Sequence, residues 1–133
     1  MLDVKDLHFR RTGGQEFSYH FTLDAGCILA IQGVSGVGKT TLLDLIAGFE
    51  TPDSGTISWM GEPFLAKAPW ERPVTTVFQD DNLFSHLTCL QNVALGIAPS
   101  EGHAMTIDAA FESLGIGGLQ SRFPGEISGG QQQ

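Results

Sequence analysis

Residues 33–40 read Gly33-Val34-Ser35-Gly36-Val37-Gly38-Lys39-Thr40, a complete G-x-x-x-x-G-K-T run. An apolar stretch, Cys27-Ile28-Leu29-Ala30-Ile31, precedes it, and a helix-like stretch from Thr40 to Ala47 follows. That setting gives the pattern its chemistry. Glycines let the backbone curl until successive N–H groups point at one anion. The helix adds its positive end at the same place. An ammonium at Lys39 can then reach the β- and γ-phosphates, and a hydroxyl at Thr40 can ligate Mg²⁺. Gly33, Ser35, Gly36, Gly38, Lys39, Thr40 and the adjoining Thr41 are therefore the candidate phosphate-binding residues. The competing reading, a glycine-rich turn that merely starts a helix, accounts for neither the Lys-Thr pair nor both flanks.

A second cluster, Ser128-Gly129-Gly130-Gln131, stands near the end of the chain. A serine and two glycines before a helix can form another concave set of N–H donors. By itself such a tetrapeptide is more often a turn and a cap.

Bulk properties narrow the field. The 133 residues suffice for a domain with a core, and the apolar content of 41% suits a globular protein. No apolar run approaches the ~20 residues of a membrane-spanning helix. The start, Met1-Leu2-Asp3-Val4-Lys5-Asp6, does not read as a secretory signal, so a cytoplasmic location is expected. Net charge is −8, from 15 acidic and 7 basic residues, and only Arg10 and Arg11 are adjacent basic residues. This is not the footprint of a nucleic-acid-binding protein, nor of one held directly on anionic lipid. Any membrane association would have to run through a protein partner. Cys27 and Cys89 have no metal-like spacing and are expected to be buried, reduced thiols.

The elements that must position the loop follow from periodicity. Residues 2–9 and 17–23 read as strands, with a turn at 12–15 between them. Residues 28–31 read as a central strand covered on both faces. The helix at 40–47 is apolar almost all round, which predicts burial, and Gly48 and Pro52 end it. Residues 55–60 and the β-branched run 74–78 read as further strands, with 63–73 irregular between them. Thr88 and Gln91 predict a capping box for a helix over 88–97. After a loop at 99–102, a helix over 105–114 would carry Ile107, Ala110, Phe111 and Leu114 on one face and stop at Gly115. Residues 124–126 read as a turn. The chain thus divides into a strand-rich part, 1–80, and a helical part, 81–133.

With these motifs in order, the sequence resembles the ATP-binding subunits of ABC transporters. Residues 33–41 match the Walker A motif and the residue after it. Gln79, in Val77-Phe78-Gln79-Asp80, matches the Q-loop, and residues 127–131 match the signature motif with Ile127 in place of the usual Leu. The stretch Asn82-Leu83-Phe84-Ser85-His86-Leu87-Thr88, followed by Gln91-Asn92-Val93, is similar to the importer branch, and most similar to thiamine-type importers.

The resemblance implies an α/β P-loop NTPase, a RecA-like core with an antiparallel β portion plus a partial helical subdomain. It implies ATP and Mg²⁺ as cofactors. Lys39 and Gln79 would be catalytic, Thr40 and Gln79 would meet Mg²⁺, and Gln79 would also sense the membrane partner. Ser128, Gly129, Gly130 and Gln131 would contact ATP held by a second nucleotide-binding subunit. The implied partners are that second subunit and transmembrane permease subunits, at the inner face of the cell membrane. His86 would lie at a surface or interface, and His8, His20 and His103 carry no partner logic.

Two departures stand out. Near the end of the first strand, where the family places an aromatic residue that stacks on adenine, this chain has His8-Phe9-Arg10-Arg11. Phe9, Tyr19 or an arginine plane are the alternatives. The matched motifs also stop at the signature. The resemblance therefore implies the N-terminal part of a subunit, with the Walker B aspartate, catalytic glutamate, D-loop and switch histidine beyond it. The whole would couple ATP hydrolysis to import of a solute such as thiamine. A non-hydrolysing nucleotide-binding module and a soluble ABC-type ATPase outside transport are the alternatives.

Overall fold

The apolar side chains of strand β1 (Leu2–Arg10) fall at 2, 4, 7 and 9, a spacing that slips by one after Val4. The computed structural model, which describes residues 1–79, 82–96 and 104–133, shows why. The pairing of β1 with β2 (Glu16–Leu23) shifts register between Val4 and Leu7, and Asp6 there takes a φ of 45°. The extra residue returns Leu7 and Phe9 to the face that holds Leu2 and Val4. All four are buried. Opposite this bulge, Gly55 has φ +101°, and a Cβ there would run into the Asp6 carbonyl.

The described residues form two units, Met1–Thr76 and Val77–Gln133. In the first, the antiparallel sheet runs in the order β2-β1-β3-β4, with β3 at Ser54–Trp59 and β4 at Glu62–Pro63. Helix α1 (Lys39–Ala47) lends Leu42 and Leu45 to a core with Val4, Leu7, Phe17, Ile57 and Phe64. Leu45 and Ile57 are fully buried, and each such side chain contributes about 1.5–3 kcal/mol by leaving water. Burial of α1 is one-sided: Thr41, Leu42, Leu45 and Ala47 are covered, while Leu43 is half exposed.

The end of α1 depends on a residue from the stretch expected to be irregular. Gly48 closes the helix at φ +92°, its N–H donating to Asp44 O at 2.8 Å. Arg72 then covers the last carbonyls. Its Nη1 donates to Leu45 O (2.7 Å) and Ile46 O (3.0 Å), its Nη2 to Leu65 O (2.9 Å) and its Nε to Lys67 O (3.0 Å). The guanidinium also lies 5.7 Å from the Phe64 ring centroid. Burial pushes its pKa below the ordinary arginine value, and no ion pair among the described residues includes it.

In the second unit, α2 (Cys89–Leu95) and α3 (Ala104–Ser113) pack through Cys89, Ile107 and Phe111, with Ile116, Leu119 and Ile127 against them. The capping box forms as the spacing predicts. Gln91 N–H donates to Thr88 Oγ1 at 3.3 Å, and Thr88 N–H to Gln91 Oε1 at 2.9 Å. Asn92 ties the preceding loop to this helix, accepting from Phe84 N–H (2.7 Å) and donating to the carbonyls of Phe84, Leu87 and Thr88. Residues 124–126 make a 3₁₀ turn, and one helical turn, α4 (Gly129–Gln132), follows.

Several expectations are corrected. Residues 28–31 and 74–78 are not strands. A strand exists only through its ladder, and neither segment belongs to the sheet formed by the described residues. Ile28, expected in a covered strand, is 98% exposed. Cys89 is buried as expected, but Cys27 is exposed, because the run it opens has no sheet to enter. On α3, Ile107 and Phe111 are buried while Ala110 and Leu114 are exposed, so the covered stripe is narrower than its apolar pattern. Residue Ile97, the loop at 99–102 and His103 lie outside the described residues.

Candidate phosphate-binding site

The loop at 33–40 enters α1 through Gly38, whose φ of +103° favours glycine. A Cβ there would sit 2.5 Å from both Phe17 Cδ1 and the Tyr19 hydroxyl. The close approach brings β2 against the loop. Tyr19 donates its O–H to Gly38 O at 2.8 Å, and its ring lies parallel to Phe17 with centroids 6.4 Å apart. Gln15, in the turn between β1 and β2, donates to Gly36 O at 2.9 Å. Arg11 donates through Nη2 to Thr41 Oγ1 at 3.3 Å. Three residues of the β1–β2 hairpin thus hold three points of the loop and helix start.

Carbonyls of Gly33, Val34, Gly36 and Gly38 in the loop are taken, while several of its N–H donors are not. Among the described residues, no acceptor takes the N–H of Gly36, Gly38, Lys39, Thr40 or Thr41. The last three lie in the first turn of α1, where no helical carbonyl is available to them. The Lys39 ammonium bridges Gly33 O (2.7 Å) and Val34 O (2.9 Å), which holds it at the mouth of the loop. An open cleft of about 420 Å³ results, lined by Arg11, Ser35, Gly36, Gly38, Lys39, Thr40 and Thr41. Two cations, backbone amides, the hydroxyls of Ser35, Thr40 and Thr41, and no acidic side chain line it. The donor set fits a polyphosphate. It does not make a protein-only metal site, since no cluster of three metal-ligating side chains occurs among the described residues. A divalent ion here would arrive with phosphate oxygens, and the exposed Thr40 hydroxyl is a suitable further ligand.

Burial raises the Tyr19 pKa, with the nearby Arg11 charge and Thr41 opposing. The phenol therefore stays a donor toward Gly38 at neutral pH.

The remaining sequence candidates lie in the second unit. Gln79 is exposed and follows an irregular segment rather than the end of a strand. Its carbonyl accepts from Gln133 Nε2 at 3.1 Å. Ser128 is the N-cap of α4, and its N–H donates to Gln131 Oε1 at 2.9 Å. Ser128, Gly129, Gly130 and Gln131 are all exposed. Gln132, immediately after, is anchored through Pro124 O at 2.9 Å. His86 is exposed, as expected, and edge-on to Phe84. His20 pairs with Asp6 at 3.0 Å, on the surface of the sheet.

The motifs pointed to the loop itself. They did not point to Gln15 or Arg72, and they left Tyr19 and Arg11 among several alternatives. Only the alternation of Phe17 and Tyr19 hinted that β2 turns aromatic side chains toward something.

A family model described as ABC transporter matches residues 18–133. The chain belongs to the ABC transporter family. Two thiamine import ATP-binding proteins, both named ThiQ, are among its relatives. That of Ruegeria sp. (strain TM1040) is 43% identical over 136 residues, covering 99% of this chain and 58% of its own length. That of Chelativorans sp. (strain BNC1) is 43% identical over 137 residues, covering 100% and 56%. Among solved structures, cbiO1 from Clostridium perfringens, described as part of the ABC transporter complex cbiONQ, matches with a TM-score of 0.79. It is 29% identical and covers 98% of this chain and 57% of its own. The chain therefore has the ABC ATPase fold and spans little more than half the length of the proteins it matches.

Proposed function

We infer that this chain holds the nucleotide in the ATP-binding subunit of an ABC importer, with thiamine or a related small solute as the cargo of the whole transporter. The observation that carries the reading is the loop: five unclaimed amides, a lysine at its mouth and a free-standing threonine hydroxyl, in a chain 43% identical to two thiamine import ATP-binding proteins. The amides of Gly36, Gly38, Lys39, Thr40 and Thr41 bind the phosphate oxygens, and Ser35 and Gly33 shape the curl. Lys39 neutralises the β- and γ-phosphates. Thr40 and Gln79 would hold Mg²⁺, which would supply positive charge to offset that of the phosphates. Gln79 orients the attacking water, and residues 128–131 reach the nucleotide of a second such subunit. Permease subunits hold the pair at the cytoplasmic face of the membrane; among the described residues no helix is long and apolar enough to cross one.

A narrower reading has its own support. The cleft contains no carboxylate to accept a proton from water. By that reading this chain binds ATP without turning it over. Titration of the 133-residue chain with ATP–Mg²⁺ tests both. Binding that Lys39→Ala weakens at least about tenfold supports the site. Binding indifferent to that substitution refutes it, and phosphate release by the wild-type chain refutes the narrower reading alone.

A further inference from the structure

The glycines of the loop, Gly33, Gly36 and Gly38, are not braced alike. A Cβ added at Gly33 would meet Val37 Cγ1 at 2.8 Å, and one at Gly38 would meet Phe17 and Tyr19 at 2.5 Å. At Gly36, where φ is +82°, it would meet nothing within 4 Å. A glycine with open space around it is where a peptide plane turns over most readily. Hydrogen bonds hold the Gly36–Val37 peptide instead. Its N–H, on Val37, makes one long bond of 3.4 Å to Val34 O. Its carbonyl, on Gly36, accepts from Gln15 Nε2 at 2.9 Å. Among the described residues, Gln15 is the only donor to that carbonyl.

Gln15 is exposed, but its backbone is pinned in the hairpin turn. Arg11 N–H donates to Gln15 O and Gly14 N–H to Arg11 O, both at 2.9 Å. From that fixed base the side chain reaches a single loop atom 21 residues away. A carbonyl only accepts, so the amide nitrogen of Gln15 is the group that faces it. The orientation of this peptide matters to an anion, because Gly36 lines the cleft. While Gln15 occupies Gly36 O, that carbonyl is kept from the ligand. Turned over, the same peptide would set a carbonyl oxygen among the N–H donors, where its negative end opposes a phosphate.

We propose that Gln15 is a positioning residue for phosphate binding: its amide holds the Gly36 carbonyl away from the ligand and so keeps the loop in its anion-accepting form. The inference rests on the loop being a phosphate site. Gln15 acts through Gly36 and touches no ligand atom, so its effect falls on the phosphates, whatever nucleoside they carry.

Calorimetric titration of the 133-residue chain with ATP–Mg²⁺ and with inorganic tripolyphosphate–Mg²⁺, alongside urea unfolding, tests this. Gln15→Met keeps the length of the side chain and removes the donor. It should weaken both ligands by about fivefold, the usual worth of one neutral hydrogen bond, and leave their ratio and the urea midpoint unchanged. Gln15→Glu puts a carboxylate opposite Gly36 O and near the phosphates, and should weaken both ligands further. Wild-type affinity in both variants overturns the proposal. So does a loss confined to ATP, which would place Gln15 on the nucleoside. A urea midpoint that falls in step with affinity would make Gln15 a structural contact and overturn it too. Wild-type binding of both ligands that Lys39→Ala weakens leaves the phosphate site standing in each of these cases. Wild-type protein that binds neither ligand removes the site and the proposal together.

Discussion

Replacing Arg72 by alanine should loosen the helix that carries the phosphate loop. The guanidinium makes four hydrogen bonds of 2.7–3.0 Å, two of them to the last-turn carbonyls of α1. A hydrogen bond to a charged group contributes about 1.5–3 kcal/mol, so a simple sum gives about 6–12 kcal/mol. That sum is an upper bound. Arg72 is half-buried, so water replaces part of what is lost, and the cost of its own desolvation is recovered. Roughly 2 kcal/mol of side-chain entropy is regained as well. A net destabilisation of about 2–4 kcal/mol is expected, in the upper range for a single substitution. Arg72→Lys retains a charge at the negative end of the helix but not the fork, and should fall about midway. Urea unfolding followed by circular dichroism and by tryptophan fluorescence measures both. The denaturant slope should stay constant while the midpoint falls. A change below about 0.5 kcal/mol for Arg72→Ala would refute the idea that these four bonds terminate the helix.

Tyr19 is the only tyrosine in the chain, so phenolate absorbance reports on it alone. Burial should place its midpoint above that of free tyrosine. The sign follows: the stability linked to this group is complete below the unfolded pKa and lost as pH rises through the folded one. Tyr19→Phe should cost about 1 kcal/mol in urea unfolding and weaken ATP binding, because Gly38 O loses its donor. Asp3 has its pKa lowered chiefly by the Thr22 hydroxyl bonded to it at 2.6 Å, with Lys5 adding to the effect. Its contribution is present above the unfolded pKa and lost as pH falls through the lower folded one; NMR titration should show the Asp3 midpoint rising in Thr22→Val. Thr88→Ala removes one arm of the capping box and should cost about 1 kcal/mol, with hydrogen exchange quickening first at the start of α2.

The features legible in the sequence are those set by neighbours a few residues apart. The loop at 33–40, the glycine stop at 48 and the Thr88–Gln91 box are formed by hydrogen bonds that span six residues or fewer. The bulge in β1 was half visible, as a three-residue step between Val4 and Leu7, but its cause was pairing with β2 and β3. The strands read at 28–31 and 74–78 show the limit. Their composition is right for buried strands, and composition makes no ladder.

The sequence by itself determined the chemistry the loop can perform, because residue types at fixed spacing set where amides, ammonium and hydroxyl can point. The tertiary structure decided what holds that loop still and what stands beside it. Arg72 reaches Leu45 across 27 residues, Tyr19 reaches Gly38 across 19, and Arg11 reaches Thr41 across 30. Local spacing carries no trace of such contacts. They exist because a bulged hairpin and a helix bury their apolar faces against one another, and that packing brings these polar groups within hydrogen-bonding distance.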